Sequence, residues 1–220
     1  MEVRLVDVWH SYDGSTYALK GVNLVFEGPG VYVLTGPNGS GKTTLLKVLS
    51  LMIRPSRGEV VVNGAKFWSL GEEEKSSLRK SVAYVHDKPI LVRGSVRYNL
   101  ELGLRLRGVK VDRDVIERYV ARYGLEGLED KPVSRLSAGQ AKLVSIMRGL
   151  LLRPRLLALD EPFTFLDSAR ASLLVEDLAE IARSGGIVVV ATHYMHKESR
   201  NCSKQVIELM DGEATPYWKT

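Results

Sequence analysis

Residues Gly36-Pro37-Asn38-Gly39-Ser40-Gly41-Lys42-Thr43 match G-x-x-x-x-G-K-[ST], a pattern suited to cradling phosphates. Its glycines let the backbone turn tightly and aim N–H groups at phosphate oxygens. A helix starting at the end of the loop adds the positive end of its dipole. Lys42 would neutralise the outer phosphates of a nucleotide, and the Thr43 hydroxyl would ligate Mg²⁺. Further along, the apolar run Leu156-Leu157-Ala158-Leu159 ends in Asp160-Glu161. A buried strand ending this way presents its acids at the C-terminal edge of a sheet, where ligands bind in open α/β folds. Ser137-Ala138-Gly139-Gln140 opens an apolar-striped segment. Serine followed three residues later by glutamine has capping-box spacing, so it reads as an ordinary capped helix or as a second anion site at a helix tip.

These groups need elements to position them. Alternation at Val3, Leu5, Val6, Val8 and Trp9 predicts a strand, and residues 22–26 a second. Val31-Tyr32-Val33-Leu34 is a nearly continuous apolar run, as in a buried central strand ahead of the glycine-rich loop. Residues 43–52 then have helical spacing. Residues 60–62, 82–85 and 187–191 read as further strands, and residues 205–213 as a final one containing an Asp211-Gly212 turn. Between them, residues 95–107 and 112–123 are helical in pattern, with Asp112 able to cap the second. Asp167 can cap a helix through about Arg183, stopped by Gly185-Gly186. The expected product is an α/β fold. Residues 1–86 and 151–220 would form a mostly parallel core with an antiparallel β portion, and about 87–150 a helical subdomain, all within one domain.

Composition sets bounds. The chain has 220 residues, a formal net charge of +5 and 45% hydrophobic residues, which suits a folded domain. No apolar run reaches bilayer length, and Met1 to Leu5 lack a signal peptide's apolar segment. The single cysteine, Cys202, fits a reducing cytoplasm. Lys and Arg are dispersed, so nucleic acid is not an expected partner.

Leu136-Ser137-Ala138-Gly139-Gln140 resembles the LSGGQ signature of ATP-binding cassette proteins, and it lies between the phosphate loop and the acidic strand as in that family. Tyr12 resembles the aromatic A-loop residue that stacks on adenine, although Tyr17 is a rival. Residues 156–162 resemble Walker B plus the catalytic glutamate. Phe165-Leu166-Asp167 resembles the D-loop, and Thr192-His193 the H-loop. The resemblance implies a P-loop NTPase fold and ATP hydrolysis with Mg²⁺. Glu161 and His193 would be catalytic, and Thr43, Asp87 and Asp160 would be metal-linked. The nucleotide would meet Tyr12, the loop from Gly36 through Thr43 and Thr44, and, across a head-to-tail dimer, Ser137, Ala138, Gly139, Gln140 and Asp167.

Ala138 and Asp87 depart from the family's pattern. Ala138 replaces a glycine, a mild change unless positive φ is needed. Asp87 stands where a glutamine is usual: it could bind the metal through oxygen, or be a solvated loop carboxylate. His193 and His196 sit three apart, but no further ligands support zinc. The resemblance further implies an energy-coupling subunit of a membrane transporter, homodimeric or paired with another cassette ATPase. It would be cytoplasmic and peripheral on the inner membrane face, docked on separate permease subunits through residues 90–109, where Arg93, Arg97, Arg105 and Arg107 alternate with apolar residues. The alternatives are a soluble cassette ATPase acting on nucleic acid or ribosomes, and a non-catalytic ATP-binding regulator.

Overall fold

A computed structural model describes residues 1–193 and 203–217. Cys202 and His196 lie outside the described residues. The chain opens with β1 (Glu2–Ser11), β2 (Tyr17–Glu27), β3 (Gly30–Thr35), α1 (Lys42–Leu49), β4 (Arg57–Val62) and β5 (Ala65–Lys66). Then come α2 (Glu72–Lys80), β6 (Val82–Val85), α3 (Val96–Leu106), α4 (Arg113–Arg122) and α5 (Ala138–Leu151). The chain finishes with β7 (Leu156–Asp160), α6 (Ser168–Arg183), β8 (Ile187–Ala191), β9 (Ser203–Met210) and β10 (Glu213–Tyr217).

One sheet has the order β10-β9-β3-β8-β7-β6, the other β2-β1-β4-β5. In the first, β3, β6, β7, β8 and β9 run parallel, and both faces are covered. Alternate residues therefore serve opposite cores. Tyr32, Leu34, Leu156, Ala158, Ile187 and Val189 face α1 and the antiparallel sheet. Val31, Val33, Leu157, Leu159, Val188 and Val190 face the core shared with α3 to α6. This double burial is why the strands read as continuous apolar runs.

The antiparallel sheet carries a bulge in β1. In β1 the inward residues begin as Val3 and Leu5, then shift register at Asp7, which has φ 46°. The extra residue is a bulge, and it moves the inward parity to Val8 and His10. Gly58 of β4 makes the bulge possible, since a Cβ there would lie 2.1 Å from the Asp7 carbonyl oxygen.

Some expectations need correction. The first helix stops at Leu49 rather than Met52, because Leu51 turns left-handed at φ 61°. The final strand ends at Met210, not at 213. Asp211 and Gly212, at φ 49° and 86°, form a two-residue reversal, and β10 returns alongside β9 with Glu213 opposite Met210. Helix α2 was not expected, since it buries no residue. It is supported by Glu74 capping Gly71 N–H and by acids in its first turn with bases in its last. Among the described residues, no helix is long and apolar enough to cross a membrane.

The helices are tied together by a buried polar contact. Tyr123, just past α4, donates from its hydroxyl to Asp177 of α6 at 2.6 Å, and Arg122 reaches the same carboxylate at 3.1 Å. Burial pushes the Asp177 carboxyl above its ordinary value, while these two donors oppose that shift. Tyr123→Phe should therefore lower stability by about 1–3 kcal/mol, as expected when a buried acceptor loses its donor. Urea unfolding would read this as a lower midpoint at constant m-value, and an unchanged midpoint would remove the pair from the account of stability.

Candidate functional site

The glycine-rich loop connects the end of β3 to α1, and its shape excludes side chains. A Cβ on Gly36 would lie 2.1 Å from the Leu209 carbonyl oxygen, and one on Gly41, at φ 104°, would lie 2.3 Å from that of Ala18. The loop is thus clamped between the start of β2 and the end of β9. Lys42 is buried, and its ammonium donates to the Gly36 and Pro37 carbonyls at 2.7 and 2.9 Å. These carbonyls hold the cation inside the loop.

From the opposite side comes the end of β7. The Thr43 hydroxyl donates to Asp160 Oδ2 at 2.7 Å, and the Tyr84 hydroxyl reaches the same oxygen at 3.2 Å. Asp160 is 2% exposed. Burial raises its carboxyl above the usual range, and the charges of Asp87 and Glu161 add to this while the two hydroxyls oppose it. Burial and then the Asp160 charge push the Tyr84 phenol upward too, so it stays a donor. Glu161 has left-handed backbone, φ 43°, which bends the chain away from the strand. His193, beyond β8, donates its backbone N–H to Glu161 Oε1 at 2.9 Å, with its ring Nδ1 3.0 Å from the same oxygen.

Asp87 follows β6 and lines a cleft of about 260 Å³ with Ala18, Asn38, Gly39, Gly41, Lys42, Thr43, Thr44, Asp160 and Glu161. Beneath it lies Lys142 of α5, which is fully buried. Its ammonium donates to the carbonyls of Asp87 at 2.6 Å and of His86 and Asp160 at 3.2 Å. Burial lowers the Lys142 pKa, and the negative charges of Asp87, Asp160 and Glu161 hold it up. One cation thereby joins the signature helix, the Asp87 segment and the end of β7. Sequence reading missed Lys142 and Tyr84. Lys142 sits beside the apolar stripe of α5 with nothing to mark it as buried, and Tyr84 reads as one more strand residue.

Tyr12, not Tyr17, stands against the loop: its hydroxyl is 3.2 Å from Thr44 Oγ1, whereas Tyr17 packs edge-on against Trp9. Tyr12 is 64% exposed, so a ring face is free to stack. Behind it His10, turned inward by the bulge, meets the Tyr12 ring edge-on at 4.7 Å. Both His10 nitrogens are buried and make no hydrogen bond of ordinary geometry.

The signature segment forms a capping box. Ser137 Oγ accepts from Gln140 N–H at 3.3 Å, and the Gln140 side chain accepts from Ser137 N–H at 3.0 Å. Ala138 has no positive φ, so its methyl group carries no backbone strain. Gly139 is held close, since a Cβ there would lie 3.0 Å from the Phe165 carbonyl oxygen. Asp167 caps α6, accepting from Arg170 N–H and guanidinium, and the first of these lowers its pKa. None of Ser137, Ala138, Gly139, Gln140 or Asp167 lines the cleft.

A family model described as ABC transporter matches residues 19–164. The chain belongs to the ABC transporter family. The phosphate import ATP-binding protein PstB 2 of Natronomonas pharaonis is 33% identical over 219 residues, covering 94% of this chain and 76% of that protein. An energy-coupling factor transporter ATP-binding protein, EcfA of Methanothermobacter thermautotrophicus, is 31% identical over 217 residues, covering 96% of this chain and 68% of that one. Among solved structures, a dimeric post-hydrolysis state of the ATP-binding cassette MJ0796 bound to ADP and Pi superimposes with TM-score 0.86 at 28% identity, covering 98% of each chain. The protein is thus an ABC ATPase with the P-loop NTPase fold, and it binds ATP.

Magnesium fits this ABC ATPase on the chemistry of its donors. Among the described residues no cluster of three or more His, Cys, Asp or Glu side chains could hold a metal by itself. The hydroxyl–carboxylate pair of Thr43 and Asp160 suits a hard cation that retains waters and shares phosphate oxygens.

His10 carries a pH signature. Burial depresses its pKa below the ordinary value, and Lys47 lowers it further, against a raising effect from the Arg54 backbone. The unfolded chain then takes up the proton first. The stability contributed by neutral His10 is full above about pH 6.5 and is lost as pH falls through that value toward the lower folded pKa. Wild-type Tm should drop across this window, and His10→Phe should drop less. Parallel curves would show that His10 does not titrate on unfolding.

Proposed function

We propose that this ABC ATPase is the energy-coupling subunit of a membrane transporter and hydrolyses Mg-ATP as half of a head-to-tail dimer. The observation that carries this reading is the contact of Glu161 with His193, at the rim of a cleft floored by Lys42, Thr43 and Asp160. Oxygens of Thr43 and Asp160, with Asp87 as a further donor facing the same cleft, would hold Mg²⁺, which would supply positive charge against the phosphates. Lys42 and the loop N–H groups orient the triphosphate. The Glu161 carboxylate holds and polarises the attacking water, and His193 fixes that carboxylate through backbone and ring contacts to one oxygen. The Tyr12 face stacks on the base.

The signature tip stands outside its own chain's cleft, which supports a second chain supplying it. Two helix tips facing one triphosphate neutralise it from both sides. Hydrolysis weakens that bridge and lets the pair open. The partner is another copy or another ABC ATPase subunit, and nucleic acid has no part in the reading. We further propose that residues 1–86 and 151–220 act as the core and about 87–150 as the moving helical subdomain, with Lys142 at their junction.

Permease docking on the inner membrane face is supported by a hollow of about 400 Å³ lined by Met52, Arg79, Arg107, Arg148 and Leu152 among others. Its basic groups differ from those expected. Arg107 lines it, whereas Arg97 pairs with Asp130, Arg105 with Glu101, and Arg93 lines a separate hollow.

Glu161→Gln should cut phosphate release by about 10²–10⁴-fold while ATP is still bound, the range expected for loss of a general base. Turnover near the wild-type rate would take Glu161 out of the chemistry. Asp87→Gln should retain hydrolysis if the carboxylate stands in for the family's glutamine, with a lowered Tm because Lys142 loses a compensating charge. Complete inactivation with unchanged Tm would show that the carboxylate itself is required.

A further inference from the structure

At the opposite edge of the parallel sheet, where β7 and β8 begin, lies a hollow of about 380 Å³. Small-molecule sites are of this size. It is bounded by the segment leading into β7, the last turns of α6 and Tyr119 of α4. The nucleotide reaction uses the other ends of these strands, at Asp160 and Ala191, and gives the charges here no task. One side of the hollow is cationic. Arg153 and Arg155 line it on either side of buried Pro154. Arg153 lies just past the C-cap of α5, with left-handed backbone at φ 42°. Glycine is the usual residue in that place, so an arginine there accepts backbone strain, which gathers at functional sites. The Arg155 backbone is fixed at both its groups: its N–H donates to the Ser81 carbonyl at 2.8 Å, and its carbonyl accepts from Ile187 N–H at 2.9 Å.

The side formed by α6 is anionic. Asp177 and Glu180 line the hollow, and Ser184 and Gly185 bring to it the negative end of the helix. Asp177 is 5% exposed and already satisfied by Tyr123 and Arg122. Glu180 is not. Among the described residues, none of Glu180, Arg153 and Arg155 forms an ion pair or a side-chain hydrogen bond, so the two signs stand apart across the hollow. Tyr119 feels both. Burial pushes its phenol above the ordinary value, the charges of Asp177 and Glu180 add to this, and those of Arg153 and Arg122 oppose it. The uncommitted groups are thus two cations and one anion. Their complement is a compact molecule with two carboxylates and one ammonium. We propose that this hollow binds an acidic amino acid, its carboxylates on the Arg153 and Arg155 guanidinium groups and its ammonium between Glu180 and the end of α6. The planar guanidinium donates paired N–H bonds to a carboxylate, which suits both arginines to that role.

The test titrates the full chain, its nucleotide cleft filled with Mg-ADP, with L-glutamate and with L-aspartate by calorimetry. Saturable binding of at least one of them is expected. Glutarate and succinate keep the carboxylates of the two amino acids and lack the ammonium. They should bind about tenfold or more weakly, the scale of a hydrogen bond to a charged group. Arg153→Asn, which suits the left-handed backbone, and Arg155→Gln should each weaken the amino acid by about the same factor. Glu180→Gln should erase the preference over the diacid. In all three variants, ATP hydrolysis without amino acid should match the parent. No saturable binding of either amino acid would overturn the proposal. A diacid bound as tightly as its amino acid would overturn the ligand class. Parent-like affinity in both arginine variants would place the binding elsewhere and overturn the site.

Discussion

A 2.7 Å hydrogen bond from the Thr43 hydroxyl to Asp160 joins segments 117 residues apart, and the site depends on it. Parallel pairing makes it possible. Leu34 of β3 and Asp160 of β7 both lie level with Ala191 of the intervening β8. The glycine-rich loop, the acidic pair and the His193 segment therefore leave the sheet at one height on one edge. No loop has to reach far: Thr43 meets Asp160 from one side, and His193 meets Glu161 from the other.

That edge gathers negative charge and carbonyl oxygens around one buried carboxylate. Asp160 is buried, Glu161 follows it, and Asp87 faces both. Such a cluster needs cations within the chain as well as from the ligand. Lys42 lies above the strand ends, held by carbonyls of its own loop. Lys142 lies below, held by carbonyls from two other segments. A family glutamine at position 87 would be neutral, whereas this chain has a carboxylate there and a buried lysine directly beneath it.

Much of this was legible because the decisive patterns are local. Glycines at fixed spacing before Lys42, an apolar run ending in Asp160-Glu161, and serine three residues before Gln140 each encode a turn, a strand end or a helix start. The helices capped by Asp112, Ser137 and Asp167 begin where those caps predict. What escaped depends on geometry the sequence carries only weakly. Helix α2 has no apolar stripe because it buries nothing. Strand β10 escaped although Asp211-Gly212 marked the turn before it, because its short sequence carries Pro216, which reads against a strand. Lys142, Tyr84 and His10 act through burial, and burial of a polar residue is decided by neighbours distant in the chain.

His10 shows how one inserted residue propagates to the site. Without the bulge at Asp7, inward parity along β1 would continue from Val3 and Leu5 to odd positions, and His10 would face outward. The bulge needs Gly58 opposite, because any side chain there would collide with the Asp7 carbonyl. It turns the imidazole under Tyr12, whose hydroxyl touches Thr44 at the base of the phosphate loop. A steric requirement in the antiparallel sheet thus reaches Thr44, at the start of α1, through two rings. The antiparallel sheet therefore supports Tyr12 against Thr44 as well as covering one core.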